Sequence, residues 1–163
     1  MNQKEVIQSQ YHAALAMFRQ AVEKCPDDLW LDPAYKNRSW NIAYHALVYT
    51  HFYLHKNEES FVPWPKHRQE ARYFDMGDGE EAEPFTRAEV LEFIEYVEAQ
   101  IDGLVDALDL EGESGFYWLP FNKLELQFYN IRHLMLHTGE LAERVWQAAG
   151  EEVGWVGKRA KGD

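Results

Sequence analysis

Apolar residues recur at intervals of three and four along most of the chain, and no segment shows the sustained apolar–polar alternation of a half-buried strand. Val6, Ile7, Tyr11, Leu15, Phe18 and Val22 trace one face of a helix from about Gln3 to Lys24, ended by Cys25-Pro26-Asp27-Asp28. A second helix is predicted behind Ser39, a good N-cap, running through WNIAYHALVYTHFYLH to about Lys56. Directly behind Pro84, Thr86-Arg87-Ala88-Glu89 has the form of a capping box, in which the Thr and Glu side chains satisfy each other's backbone N–H groups. It opens a third helix to about Leu108, with Val90, Phe93, Ile94, Val97, Ile101 and Leu104 on its buried face. A fourth starts near Pro120 or Asn122 and reaches about Ala149, where Gly150 suits the left-handed turn that ends a helix. Four long helices predict an all-α fold, most economically a four-helix bundle.

The connections refine this picture. Residues 57–85 form a link between helices two and three that is too long for simple antiparallel neighbours, which need about 2 to 8 residues. A link of that length crosses a bundle or covers a site. Phe61, Trp64, Tyr73 and Phe74 predict that it packs on the helices, whereas GDGEEAE is expected to be mobile. At 163 residues the chain is expected to be one domain, 1–163, large enough to bury a core.

Composition then removes several function classes. The net charge of -12, spread along the chain, would be repelled by a nucleic-acid backbone or an anionic membrane surface. No apolar run is long enough to span a bilayer, and MNQKEVIQSQ lacks the pattern of a secretory signal, so a soluble cytoplasmic protein is expected. The single cysteine, Cys25, excludes an internal disulfide framework and suits packing better than nucleophilic chemistry.

Seven histidines carry the remaining chemistry. His133 and His137, in NIRHLMLHTGEL, stand one helical turn apart, so both rings leave the same face of the fourth helix. They share a stripe with Leu126, Tyr129 and Glu140, flanked by Leu134, Leu136 and Leu141; the opposite stripe is Leu124, Phe128, Ile131, Met135, Ala142 and Trp146. A helix apolar around this much of its circumference buries both sides, and buried imidazoles need partners for their nitrogens. On the second helix His45 falls between Ile42, Tyr49 and Phe52 and is predicted to point inward, while His51 and His55 fall on the surface or rim. His12 and His67 have no partner at ligand spacing. Two readings stay open on these residues alone: a three-imidazole site for Zn, Ni, Cu or Fe, or histidines that pack and hydrogen-bond. The HExxH signature of zinc proteases and the Glu-x-x-His motifs of di-iron bundles are absent, so any site is mononuclear.

A histidine inside the second helix, in SWNIAYHALVYTHFYL, together with H-x-x-x-H followed by x-G in HLMLHTGEL, resembles the DinB/YfiT-like four-helix metalloproteins across nearly the whole chain. The resemblance implies an up-down-down-up bundle in which His45, His133 and His137 bind one divalent transition metal, Zn, Ni or Fe. Many relatives carry a basic residue after the final histidine and Gln after the glycine, where this chain has Thr138 and Glu140. Characterised relatives include metal-dependent thiol transferases and a mycothiol-dependent isomerase. The resemblance therefore implies a small-molecule substrate and a low-molecular-weight thiol, handled by a transferase, or a hydrolase, of detoxification or stress type. Tyr49, Tyr129 and Glu140 are the candidates to shape the pocket or orient an imidazole. The alternatives are a non-catalytic metal or small-ligand binding protein, and a structural dimerisation module without metal. The Phe128–Trp146 stripe predicts a homodimer, unless the 57–85 link covers it.

Overall fold

In the computed structural model, which describes residues 2–72 and 82–160, the chain is all helical, with no strand among the described residues. The helices are α1 Gln3–Lys24, α2 Asp27–Trp30, α3 Ser39–Tyr53, α4 Arg87–Glu98, α5 Ile101–Asp106 and α6 Lys123–Ala149. Two short 3-10 turns, Glu58–Ser60 and Gln69–Arg72, lie in the link.

Local chemistry sets the helix ends. The capping box of Thr86 and Glu89 opens α4, with the Thr86 N–H donating to the Glu89 carboxylate at 2.8 Å. A second box, Asn2 with Glu5, opens α1. Asn122 caps α6 by accepting the Glu125 N–H at 2.9 Å, and Gly150, at φ 68°, ends it in the left-handed conformation. Three boundaries differ from the sequence expectation. Ser39 is the first helical residue of α3, not its cap; Arg38 holds the cap position, and Ser39 is buried, with its hydroxyl accepting a bond from Arg144. The third predicted helix is interrupted at Ala99 and Gln100, where the Gln100 N–H turns to Val97 O at 3.0 Å and tightens the helix before α5 begins. α3 also stops at Tyr53, short of Lys56.

α6 packs against α1 and α3, and α4 packs against the same two on another side, so the main contacts run in the cyclic order α1–α6–α3–α4. α3 is the most enclosed element: every one of its residues is buried except His45 and Tyr49, which are half-exposed and one turn apart. On α6 the face directed at the core is Gln127, Asn130, Leu134, Thr138, Leu141 and Val145, midway between the two stripes read from the sequence. The histidine stripe is therefore one flank of a single buried face. On the other flank Ile131 and Met135 pack on the core, while Phe128 and Trp146 remain exposed. The described part of the link packs elsewhere: its Gln69–Arg72 turn lies on α3, and Trp64 is buried in a parallel stack on Phe93, centroids 4.7 Å apart. Tyr73, Phe74 and residues 77–81 lie outside the described residues.

A buried polar layer ties the helices together. Tyr11 on α1 donates its hydroxyl hydrogen to Gln127 Oε1 at 2.9 Å, and Asn130 Nδ2 donates to the Tyr11 oxygen at 2.8 Å and to the Thr50 carbonyl of α3 at 2.9 Å. Around it, side chains such as Leu15, Phe18, Phe93 and Ile94 are fully buried. Each contributes roughly 1.5–3 kcal/mol by burial, so the core does not depend on a metal for its existence.

Candidate metal centre

His45 of α3 meets His133 and His137 of α6 where these two helices pack. The Nε2 atom of His133 lies 3.3 Å from Nε2 of His45 and 3.2 Å from Nε2 of His137. A tetrahedral metal with metal–nitrogen bonds of about 2.0–2.1 Å separates its ligand nitrogens by about 3.3 Å. One ligand atom from each ring falls within 4.8 Å of the other two, and among the described residues this is the one group of three or more His, Cys, Asp or Glu side chains so placed.

The tautomers follow from what the outer nitrogens touch. His45 Nδ1 lies 2.9 Å from the Arg72 carbonyl, which can only accept, so Nδ1 carries the proton and Nε2 the lone pair. His137 Nδ1 lies 2.6 Å from the Glu140 carboxylate, so in the neutral imidazole, the form that ligates, Nδ1 carries the proton and Nε2 the lone pair. Two lone pairs therefore face His133 Nε2. A proton on that atom serves one of them well and not both, and His133 Nδ1 is buried without a hydrogen-bond partner. A cation at the centre of the three nitrogens satisfies all of them at once, so the donor set fits a divalent transition metal.

The electrostatics agree. Burial pushes His45 down to about 4, against the pull of the Arg72 carbonyl. His133 falls to about 3 through burial and then the two neighbouring imidazoles. Both are neutral at pH 7, the form that ligates. Three protein nitrogens leave at least one coordination position for a water or a substrate atom.

No known protein family, curated protein or solved structure matches the chain. The chemistry of the site rests on its own residues.

Of the three neighbours named from the sequence, Glu140 bonds His137, and the Tyr49 ring packs 4.8 Å from His45 and 5.8 Å from His133. Tyr129 stands farther out: its ring meets Tyr53 at 5.9 Å and Phe121 at 5.7 Å. Arg72 was not foreseen, because it acts on His45 through a backbone carbonyl that any residue could supply.

The expectation for His51 and His55 is corrected. Neither is on the rim: His51 is 0 % and His55 5 % exposed, packed edge-on with each other and with Phe61. His51 is pushed down to about 3 by burial and then by His55. His55 Nδ1 donates to the His51 carbonyl at 2.8 Å, the bond of an imidazole folded back on its own helix. His12 pairs with Asp102 at 3.0 Å, and His67 with the Tyr44 hydroxyl at 2.6 Å. Cys25 is buried, and burial raises its thiol to about 11, which leaves it protonated and suited to packing.

Proposed function

We propose that the chain is a four-helix bundle of the DinB/YfiT type, that His45, His133 and His137 hold one zinc, nickel or iron ion, and that it works as a thiol-dependent transferase or a hydrolase. The observation carrying this reading is the convergence of three Nε2 atoms, two of them with their lone pairs turned inward by Arg72 O and Glu140. A divalent transition metal held there supplies a Lewis acid that makes a bound thiol or water easier to deprotonate near neutral pH. The protein's own residues do the rest. Arg72 O and the Glu140 carboxylate keep the Nδ1 protons in place and the rings in orientation. The Tyr49 ring walls one side of the triad, and its hydroxyl accepts a bond from Arg72 Nε at 3.3 Å, which fixes the ring.

The test is metal analysis of protein made without a histidine tag, followed by turnover of a small thiol with 1-chloro-2,4-dinitrobenzene before and after chelation. One equivalent of metal and chelator-sensitive turnover support the transferase. Metal without turnover of this or an ester substrate leaves a metal-binding protein. Absence of any metal affinity sinks the reading and returns the histidines to packing.

Self-association belongs to the same reading. Phe128, 61 % exposed, and Trp146, 52 % exposed, stand on one face of α6, and a second copy is the proposed cover. Sedimentation as a monomer at micromolar concentration rules this out. None of the helices is long and apolar enough to cross a membrane among the described residues.

A further inference from the structure

We infer that the open side of the histidine triad binds a carboxylate joined to an apolar body, with Arg132 meeting the charge and the rings of Tyr49 and Tyr129 meeting the body. The inference rests on the metal-centre reading for its location, and on different residues for its content.

The chain has 28 acidic against 16 basic residues, so a random stretch of its surface is rich in carboxylates. The two helices that bear the triad are not. α3 contains no Asp or Glu, and α6 has none between Glu125 and Glu140, the latter already engaged with His137. Among the described residues, Arg132 stands directly before His133, and the Arg72 carbonyl holds His45.

Arg19, Arg68, Arg87 and Arg159 each reach a carboxylate. Arg132 is exposed and makes no ion pair or hydrogen bond among the described residues; its guanidinium carbon lies 5.6 Å from the Tyr129 ring. A guanidinium held beside an aromatic face with its N–H edge toward water is a ready receptor for a planar anion.

The rings make the arrangement a continuous wall. From the triad it runs through Tyr49, 5.8 Å from His133, to Tyr53 at 5.7 Å and on to Tyr129 at 5.9 Å. The Arg72 guanidinium carbon sits 5.0 Å from the Tyr49 ring at one end, and Arg132 lies by Tyr129 at the other. Tyr49 and Tyr129 are only partly buried, so part of each ring is reachable from solvent. A polyanion is disfavoured by the field of a chain carrying -12, whereas a monoanion with an apolar body gains locally from both elements. The carboxylate can belong to the thiol or to its acceptor; the recognition chemistry is the same.

Two matched probe pairs test this by calorimetry: 3-mercaptopropionate against 2-mercaptoethanol on zinc-loaded protein, and benzoate against benzamide on zinc-loaded and metal-free protein. The carboxylate member of at least one pair should bind about tenfold tighter, the size expected of one charge-assisted contact. In Arg132→Gln, a surface change that leaves the core untouched, the preference should shrink to about twofold. The pair with the larger preference tells whether the thiol or the acceptor brings the charge. No preference in either pair, or one that survives Arg132→Gln, overturns the inference. If neither thiol binds while benzoate is still preferred, the metal-centre reading fails and this one stands; equal binding of both thiols with no benzoate preference gives the reverse.

Discussion

Glu140 reaches back along α6 to His137, and its carboxylate oxygen lies 2.6 Å from the imidazole Nδ1. A charged acceptor at that nitrogen raises the basicity of the opposite one and fixes the ring's rotation. The carboxylate is partly in water, with 46 % of the side chain exposed, so its influence is moderated by solvent.

Glu140→Gln keeps an acceptor near Nδ1 and removes the charge. Zinc affinity, measured by competition with a chromophoric chelator at pH 7.5, should fall about tenfold, the low end of what such partners contribute. Glu140→Ala should fall further. Unchanged affinity in both variants would show that Glu140 is a surface residue that happens to lie close.

His45→Ala removes one of the three converging nitrogens and should abolish most zinc binding. His51→Phe, a replacement matched to an aromatic surrounding, should leave zinc stoichiometry intact. The opposite pattern would mean that α3 contributes its other histidines to the centre.

Acid should unfold the metal-free protein through its buried imidazoles. His51, held at about 3, is depressed below its unfolded value near 6.5, so its contribution is present above pH 6.5 and is lost as pH falls toward 3. His45, at about 4, and His133, at about 3, act in the same window. Between pH 7 and 5 each such group costs about 2 kcal/mol. Urea midpoints at those two pH values should therefore converge in His51→Phe relative to the parent chain; an equal loss in both would show that His51 does not titrate as described.

His12 works in the opposite direction. Its hydrogen bonds to Glu98 and Asp102 raise it above 6.5, so the stability it adds is complete below pH 6.5 and disappears as pH rises through the raised value. The melting-temperature difference between the parent chain and His12→Gln should be larger at pH 6 than at pH 9. A constant difference would assign His12 a packing role alone.

Tyr11→Phe should destabilise by about 1–3 kcal/mol, because it strips a partner from both Gln127 and Asn130 inside the core. Chemical denaturation reads this directly. A loss below about 0.5 kcal/mol would indicate that water enters and replaces the hydroxyl.

Much of this architecture is legible in the sequence because its signals are local. The limits of α1, the Thr86–Glu89 box and Gly150 follow from spacing and capping chemistry that a few residues carry by themselves. The helix-borne pair His133 and His137 is legible for the same reason. α3 is different: it is apolar on nearly every side, so a helical wheel has no polar face to fix its rotation. His45 therefore reads as deep core and His51 as rim, whereas His45 lies on the one half-exposed seam with Tyr49 and His51 is enclosed. The break at Ala99–Gln100 has no Gly or Pro to announce it, and the Arg72 carbonyl is invisible to any reading of side chains.

The Asn130 amide acts as an alignment pin. It joins α6 to the Thr50 carbonyl of α3 and to Tyr11 of α1, one turn along from His133. Sliding α6 by a single residue would rotate every side chain on it by about 100° and carry His133 and His137 away from His45. Apolar contacts alone tolerate such slippage better than a buried amide does, since the amide would be left without partners. Grafting the three histidines onto another pair of packed helices would thus copy their spacing and not their convergence, unless the pin travelled with them.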